Sequence, residues 1–250
     1  VSFTVKKPFT DGAFLENIGA AISALPALLK NAGWNNCCEV SGRNDNLVFC
    51  MVGGEVRLLC DEEYGKAELT IKNRSYSKSE KGENVVLDVA GPFTVMNVLI
   101  DPVHIFKAMR KKPELMKEVF WRLGNDVLKY IEEAIKRGVT MISYADSSGG
   151  VNILGPKMAE QVVEDFTYEY LKKMQDLVQD KALVLLCPKT TFALLGTEKA
   201  EFTDVELPSS MRYSDACAFL VGKETFAGQM CIKNIKYELK SGIFKAVRLK

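Results

Sequence analysis

The residues of this sequence whose types could do chemistry gather where apolar runs end. "ALVLLCPKT" (182–190) closes a short apolar run with Cys187, just ahead of a proline. "TFAGQMCIKN" (225–234) does the same with Cys231, and "VTMISYADSSGG" (139–150) ends in Asp146 followed by small residues. "VVLDVAGPFT" (85–94) carries Asp88 inside the run and Gly91 and Pro92 just after it. Two neighbouring thiols suit Zn²⁺, which is soft enough to prefer sulfur, and a catalytic zinc usually keeps three protein ligands and one open position. Bound zinc can also hold a substrate thiol as its thiolate, the nucleophilic form. With Cys187 and Cys231 as two ligands, the third would be Asp146, Cys217, Glu55 or none. Structural readings stand beside these. Cysteine is among the most buried residue types and often only fills a core. An aspartate ahead of Ser-Ser-Gly-Gly caps a loop or the next helix as readily as it serves a substrate. Asp88 needs a partner either way, because an unpaired buried carboxylate is costly. The single histidine, His104, excludes every chemistry that needs two, and its place after "IDPV" fits a surface or capping residue near a helix start better than a base.

Those ends form a site only if one fold carries them to one face. From residue 85 the pattern is regular: a buried strand over 85–90, then a long amphipathic helix over 113–138 with Pro113 in its first turn. A strand over 139–145, a second long helix over 155–179 and a strand over 182–186 follow. Beyond them come a helical piece, "TFALLG", strands at "ACAFLVG" and "TFAGQMC", and alternation on both sides of Ser241-Gly242 that predicts a terminal β-hairpin in 236–250. The first third is less regular. "GAFLENIGAAISALPALLKNAG" (12–33) predicts two helical pieces broken at Pro26, the first capped near Thr10 or Asp11. "NLVFCMVGGEVRLLCD" holds two apolar runs about Gly53-Gly54, "KAELTIKN" predicts an edge strand, and "SYSKSEKGEN" (75–84) a polar turn. Strand and helix in alternation mean βαβ units and a parallel sheet. That leaves a (β/α)₈ barrel, which typically needs ~250 residues, or a doubly wound open sheet. No GxGxxG follows a strand and no P-loop is present, which favours the barrel.

Bulk composition narrows the partners. Lys and Arg number 33 against 32 Asp and Glu, so no global field draws nucleic acid or an anionic membrane. No apolar run approaches the ~20 residues of a membrane span, and the first residues lack a signal-peptide pattern. The seven cysteines are odd in number and form no CxxC pair, which predicts free thiols in a reducing cytoplasm.

The ordered set "VVLDVAGPFTVMNVL", "EEAIKRGVTMISYADSSGGVNILGPKMAEQVVEDFTYEYLKKM" and "ALVLLCPKT" resembles the uroporphyrinogen decarboxylase superfamily, and in particular its cobalamin-dependent methyltransferase branch. The resemblance runs from about Gly53 to Pro188. It implies a mixed α/β, TIM-barrel-like (β/α)₈ fold, here shortened, with its pocket at the carboxyl ends of the strands. It implies a single domain over 1–250, with a divergent part at 1–80 and the hairpin of 236–250 as an addition. Members of that branch move a methyl group from a corrinoid protein, as its methylcobamide, to a thiol, and use zinc held by a His-x-Cys pair and a later Cys. Cys187 falls on the Cys of that pair, Leu185 on its His, and Cys231 on the later Cys. The resemblance thus implies Cys187 and Asp146 as catalytic residues and Cys187 and Cys231 as metal ligands. It implies Asp88, Gly91, Pro92, Phe93, Ser147 and Ser148 around the substrate. A corrinoid protein and a small thiol would be the partners, and a homodimer would cover an exposed sheet edge. Leucine at 185 favours a second reading, a non-catalytic member that binds a corrinoid, a tetrapyrrole or a corrinoid protein. A third is a decarboxylase-like enzyme acting on a small acid.

Overall fold

A computed structural model of the chain describes residues 2–5, 39–44, 47–51, 55–61, 66–72, 84–99, 102–136, 139–231, 234 and 236–250. The helical pieces expected at 12–33 and most of the polar turn at 75–84 lie outside the described residues. The early strands are β1 (Ser2–Val5), β2 (Glu39–Asn44), β3 (Leu47–Met51), β4 (Glu55–Asp61) and β5 (Lys66–Lys72). β1, β4 and β5 form a small sheet with β5, the "KAELTIKN" segment, at its edge as expected. β2 and β3 join the main sheet instead.

The regular region then builds that sheet. β6 (Asn84–Ala90) is followed by three helices, α1 (Pro92–Leu99), α2 (Pro102–Lys111) and α3 (Pro113–Lys136). β7 (Met141–Ala145) leads through a 3₁₀ turn at Ser147–Gly149 to α4 (Val151–Leu154) and α5 (Pro156–Val162). A π turn at Val163–Thr167 connects α5 to α6 (Tyr168–Val178), so the second long helix is one axis with a local widening. β8 (Leu183–Leu186), α7 (Pro188–Gly196), β9 (Ala200–Glu206), β10 (Met211–Arg212), α8 (Tyr213–Leu220), β11 (Phe226–Ala227), β12 (Glu238–Leu239) and β13 (Ile243–Leu249) complete the chain.

The main sheet has the order β2-β3-β6-β7-β8-β11-β13-β9, and the five strands from β3 to β11 are parallel. Each parallel strand is laid down beside the previous one, with no reversal of direction across the sheet. A doubly wound sheet reverses and puts helices on both faces, whereas continuous winding keeps the crossover helices on one face, as in a barrel. From β6 to β8 the packing shows the second arrangement, while α8, between β8 and β11, lies on the other face. Val89, Ile142, Tyr144, Val184, Leu186 and Phe226 form one core with residues of α1, α2, α3, α6 and α7. In α3, Met116, Val119, Phe120, Leu123, Val127 and Ile131 fall three or four apart and make one buried stripe. The fold is therefore mixed α/β with a mostly parallel sheet wound in the TIM-barrel manner. Among the described residues the sheet does not close, and β2 and β9 are its edges.

Three local expectations are corrected. "ACAFLVG" is not a strand: its first five residues end α8, whose Tyr213, Ala216, Cys217 and Leu220 pack against Val86, Met141, Leu183, Leu185 and Phe244 on the opposite sheet face. A short apolar run has no decisive period, and here a whole apolar face is available to a helix. "TFAGQMC" yields only the two-residue β11, so Cys231 lies beyond the strand and not at its end. The terminal hairpin does not form. β12 pairs with β10, and β13 pairs with β11 on one side and β9 on the other. Between two neighbours β13 satisfies the polar groups of both its edges, whereas a hairpin arm would satisfy one.

Candidate functional site at the carboxyl edge of the sheet

The parallel strands end level with one another. The Gly91 N–H donates to the Ala145 carbonyl at 2.9 Å, and the Cys187 N–H donates to the Tyr144 carbonyl at 3.0 Å. These bonds extend the ladder past the strand ends and set Gly91, Asp146 and Cys187 side by side. A Cβ built on Gly228, just after β11, would lie 2.1 Å from Thr191 Oγ1, so the first turn of α7 rests directly on the fourth strand end.

Asp146 is the best-defined side chain of this edge. Its residue is 5% exposed. Its Oδ1 accepts from the Thr94 N–H at 2.7 Å, and its Oδ2 accepts at 3.4 Å from both the Phe93 N–H and the Tyr144 hydroxyl. Phe93 and Thr94 are the second and third residues of α1. A helix begun by Gly-Pro has no capping side chain of its own, so its free N–H groups must find an acceptor elsewhere. Asp146 supplies it from the neighbouring strand, where a carboxylate also meets the favourable end of the helix dipole. Thr94 returns the link: its Oγ1 accepts from the Ser148 N–H at 3.3 Å. The close approach dictates the residue at 91, since a Cβ there would lie 2.4 Å from both Cβ and Cγ of Asp146.

Burial works against the charge so placed. It raises the Asp146 carboxyl from 3.8 to about 6, the hydrogen bonds from Thr94, Phe93 and Tyr144 only partly opposing it. A folded value above the unfolded one means that the native state binds the proton more tightly. The resulting contribution is full below pH ~4 and is lost as pH rises through about 6. Unfolding by urea, followed from pH 4 to pH 7, should show a loss on the order of 2 kcal/mol in wild type that is missing in Asp146→Asn.

The other candidates divide. Phe93 turns its ring into the helix-side core, stacked on Phe120 at 5.4 Å, and Pro92 and Ser148 are buried. Ser147 is half-buried in the 3₁₀ turn after β7. Asp88 pairs in register with Ser143, one strand over. His104 lies in α2. Cys187 caps α7 without a side-chain capping bond and is half-buried at this edge. Cys231 is also half-buried but packs on the far-face cluster, following Met230, whose carbonyl accepts from the Tyr213 hydroxyl.

The alternative third metal ligands are otherwise engaged. Cys217 is fully buried, and burial pushes its thiol up to about 12. Glu55 belongs to β4 in the separate small sheet. Among the described residues no three His, Cys, Asp or Glu side chains form a group that could hold a metal ion. Among the described residues these donors do not fit a zinc site.

The order of these strand ends and their loops has a match. The family pattern described as uroporphyrinogen decarboxylase (URO-D) covers residues 61–228. The chain belongs to this family. In this URO-D family member the matched span takes in β6 to β11, with Asp146 and Cys187, and stops before Cys231. Among solved structures a methyltransferase from Methanosarcina mazei is similar, at 13% identity and a TM-score of 0.42, over 80% of this chain and 68% of that one. No curated protein matches the chain. Among the described residues no helix is long and apolar enough to cross a membrane.

Sequence reasoning did not single out Tyr144 as a partner of Asp146. The signal was present in "AGPFT": a helix opening on Gly-Pro directly after a buried strand calls for a cap from outside.

Proposed function

We propose that this URO-D family chain is a methyltransferase-like enzyme that moves a methyl group from a protein-bound corrinoid to a thiol or similar acceptor. The observation that carries the reading is Cys187, a half-buried thiol at the carboxyl end of a parallel strand, beside the loop that Asp146 anchors. A half-buried cysteine at that edge suits a reaction on sulfur better than decarboxylation, which needs cations to hold substrate carboxylates. In the transfer, the carbon–cobalt bond breaks with both electrons staying on the corrinoid, a carbon–sulfur bond forms, and the acceptor's proton leaves to solvent. Cys187 would contact the acceptor, Ser147 would line the rim, and Asp146 would act as a positioning residue by holding the Gly91–Thr94 turn against β7. A reducing cytoplasm would keep Cys187 as a thiol.

The test is methyl transfer from methylcobalamin to a panel of small thiols, followed by methylcobalamin absorbance. Wild type should transfer, and Cys187→Ser should lose about tenfold or more in rate with its melting temperature nearly unchanged. Wild-type rates in Cys187→Ser, or no transfer to any thiol by wild type, would overturn the assignment. The second reading, a non-catalytic corrinoid binder, draws support from Leu185, a buried apolar residue two positions before Cys187. It predicts methylcobalamin binding without turnover.

A further inference from the structure

A separate cleft of about 570 Å³ opens where β9, β12 and β13 meet the end of β11. Small-molecule sites commonly fall in the range of about 300–1,000 Å³. Its floor is fixed. Lys245 of β13 is paired with Asp204 of β9 at 2.7 Å, and the Lys245 N–H donates to Gln229 Oε1 at 3.4 Å, leaving the Gln229 amide nitrogen to donate elsewhere. Its wall is set by alternation. Leu239 is 4% exposed and belongs to the far-face core, so Glu238 and Lys240 on either side of it point away from that core, and both line the cleft. Among the described residues neither has an ion-pair partner. Tyr237 stands at the rim, 57% exposed, with its backbone held by the Tyr213 N–H at 2.7 Å.

The charges lining this cleft cancel: Asp204 and Glu238 against Lys240 and Lys245. A ligand with one charge of either sign would meet a like charge as well as an opposite one. A ligand carrying both signs would meet a complement for each. The aromatic face of Tyr237 offers a stacking surface for a flat group. We propose that this cleft binds a small zwitterion with a flat apolar part, of the free amino-acid class. Its carboxylate would lie toward Lys240 and Gln229, its ammonium toward Glu238, and its flat part against Tyr237. The proposal does not depend on the methyl-transfer reading.

Three probes of one shape test it by isothermal titration: phenylalanine, with both charges; 3-phenylpropionate, with only the anion; and phenethylamine, with only the cation. Saturable binding of phenylalanine is expected, with each singly charged probe about tenfold weaker or worse. Glu238→Gln and Tyr237→Ala should each weaken phenylalanine binding while the urea midpoint of unfolding stays at the wild-type value. Absence of saturable phenylalanine binding, equal affinity for all three probes, or wild-type affinity in folded Glu238→Gln would overturn it.

Discussion

Asp146→Ala is expected to lower the unfolding free energy by about 3 kcal/mol, well beyond an ordinary surface substitution. The change leaves three donors without their acceptor: the N–H groups of Phe93 and Thr94 and the Tyr144 hydroxyl. Loss of a helix cap alone costs about 0.5–2 kcal/mol, and each buried donor left unpaired adds about 1–3 kcal/mol. Relief from burying the charge offsets part of that, since burial raises this carboxyl to about 6. Asp146→Asn separates the two contributions. The amide keeps an oxygen for the Thr94 N–H and removes the charge, so at pH 7 it should stay within about 1 kcal/mol of wild type. Urea unfolding of the three proteins checks this. An alanine variant as stable as wild type would mean that α1 does not rely on this cap.

Gly91→Ala carries the second large effect. The new methyl would sit 2.4 Å from two carbons of Asp146 and 2.6 Å from the Tyr144 oxygen. Neither neighbour can yield cheaply, because both are buried and hydrogen-bonded to each other. Overpacking of this kind costs about 1–3 kcal/mol, occasionally more, and here it also pries the start of α1 from its acceptor. A loss of about 3 kcal/mol is expected. The two substitutions act on one contact, so their effects should not add. In Asp146→Ala the space beside Gly91 is partly vacated, and the added cost of Gly91→Ala should fall by at least about 1 kcal/mol. Strict additivity would place the strain of Gly91→Ala elsewhere.

The part of the fold that was legible in the sequence was the part with long periods. α3 shows its buried stripe over about four turns, and β6, β7 and β8 are largely apolar runs, interrupted in β6 by Asp88, of the kind a doubly covered parallel sheet requires. The strand-end positions of Asp146 and Cys187 followed from those runs. What failed lay where the run was short or the partner remote. Nothing local distinguishes "ACAFLVG" as a helix from a strand, because the choice is made by the sheet face it covers. The two arms about Ser241-Gly242 alternate as a hairpin should, yet each finds its partner elsewhere in the chain. The role of Asp146 was open for the same reason. Its acceptor duty is to amides 52 and 53 residues away, a distance that no local pattern spans.

One consequence of the strand order concerns the growing chain. β13 is made after β9, yet β9 has no other neighbour in the sheet among the described residues. During synthesis β9 therefore waits, its hydrogen-bonding edge open to any passing strand, until β13 emerges. Its composition suits the wait. Glu201, Asp204 and Glu206 punctuate "AEFTDVE", so two copies of β9 on neighbouring nascent chains repel each other. The strand that finally arrives is basic: Lys245 meets Asp204 at 2.7 Å, and Lys250, just past its end, meets Glu201 at 3.9 Å. The same charges that keep strangers away thus single out the chain's own late strand. Reversing them in β9 alone should show first as aggregation during expression.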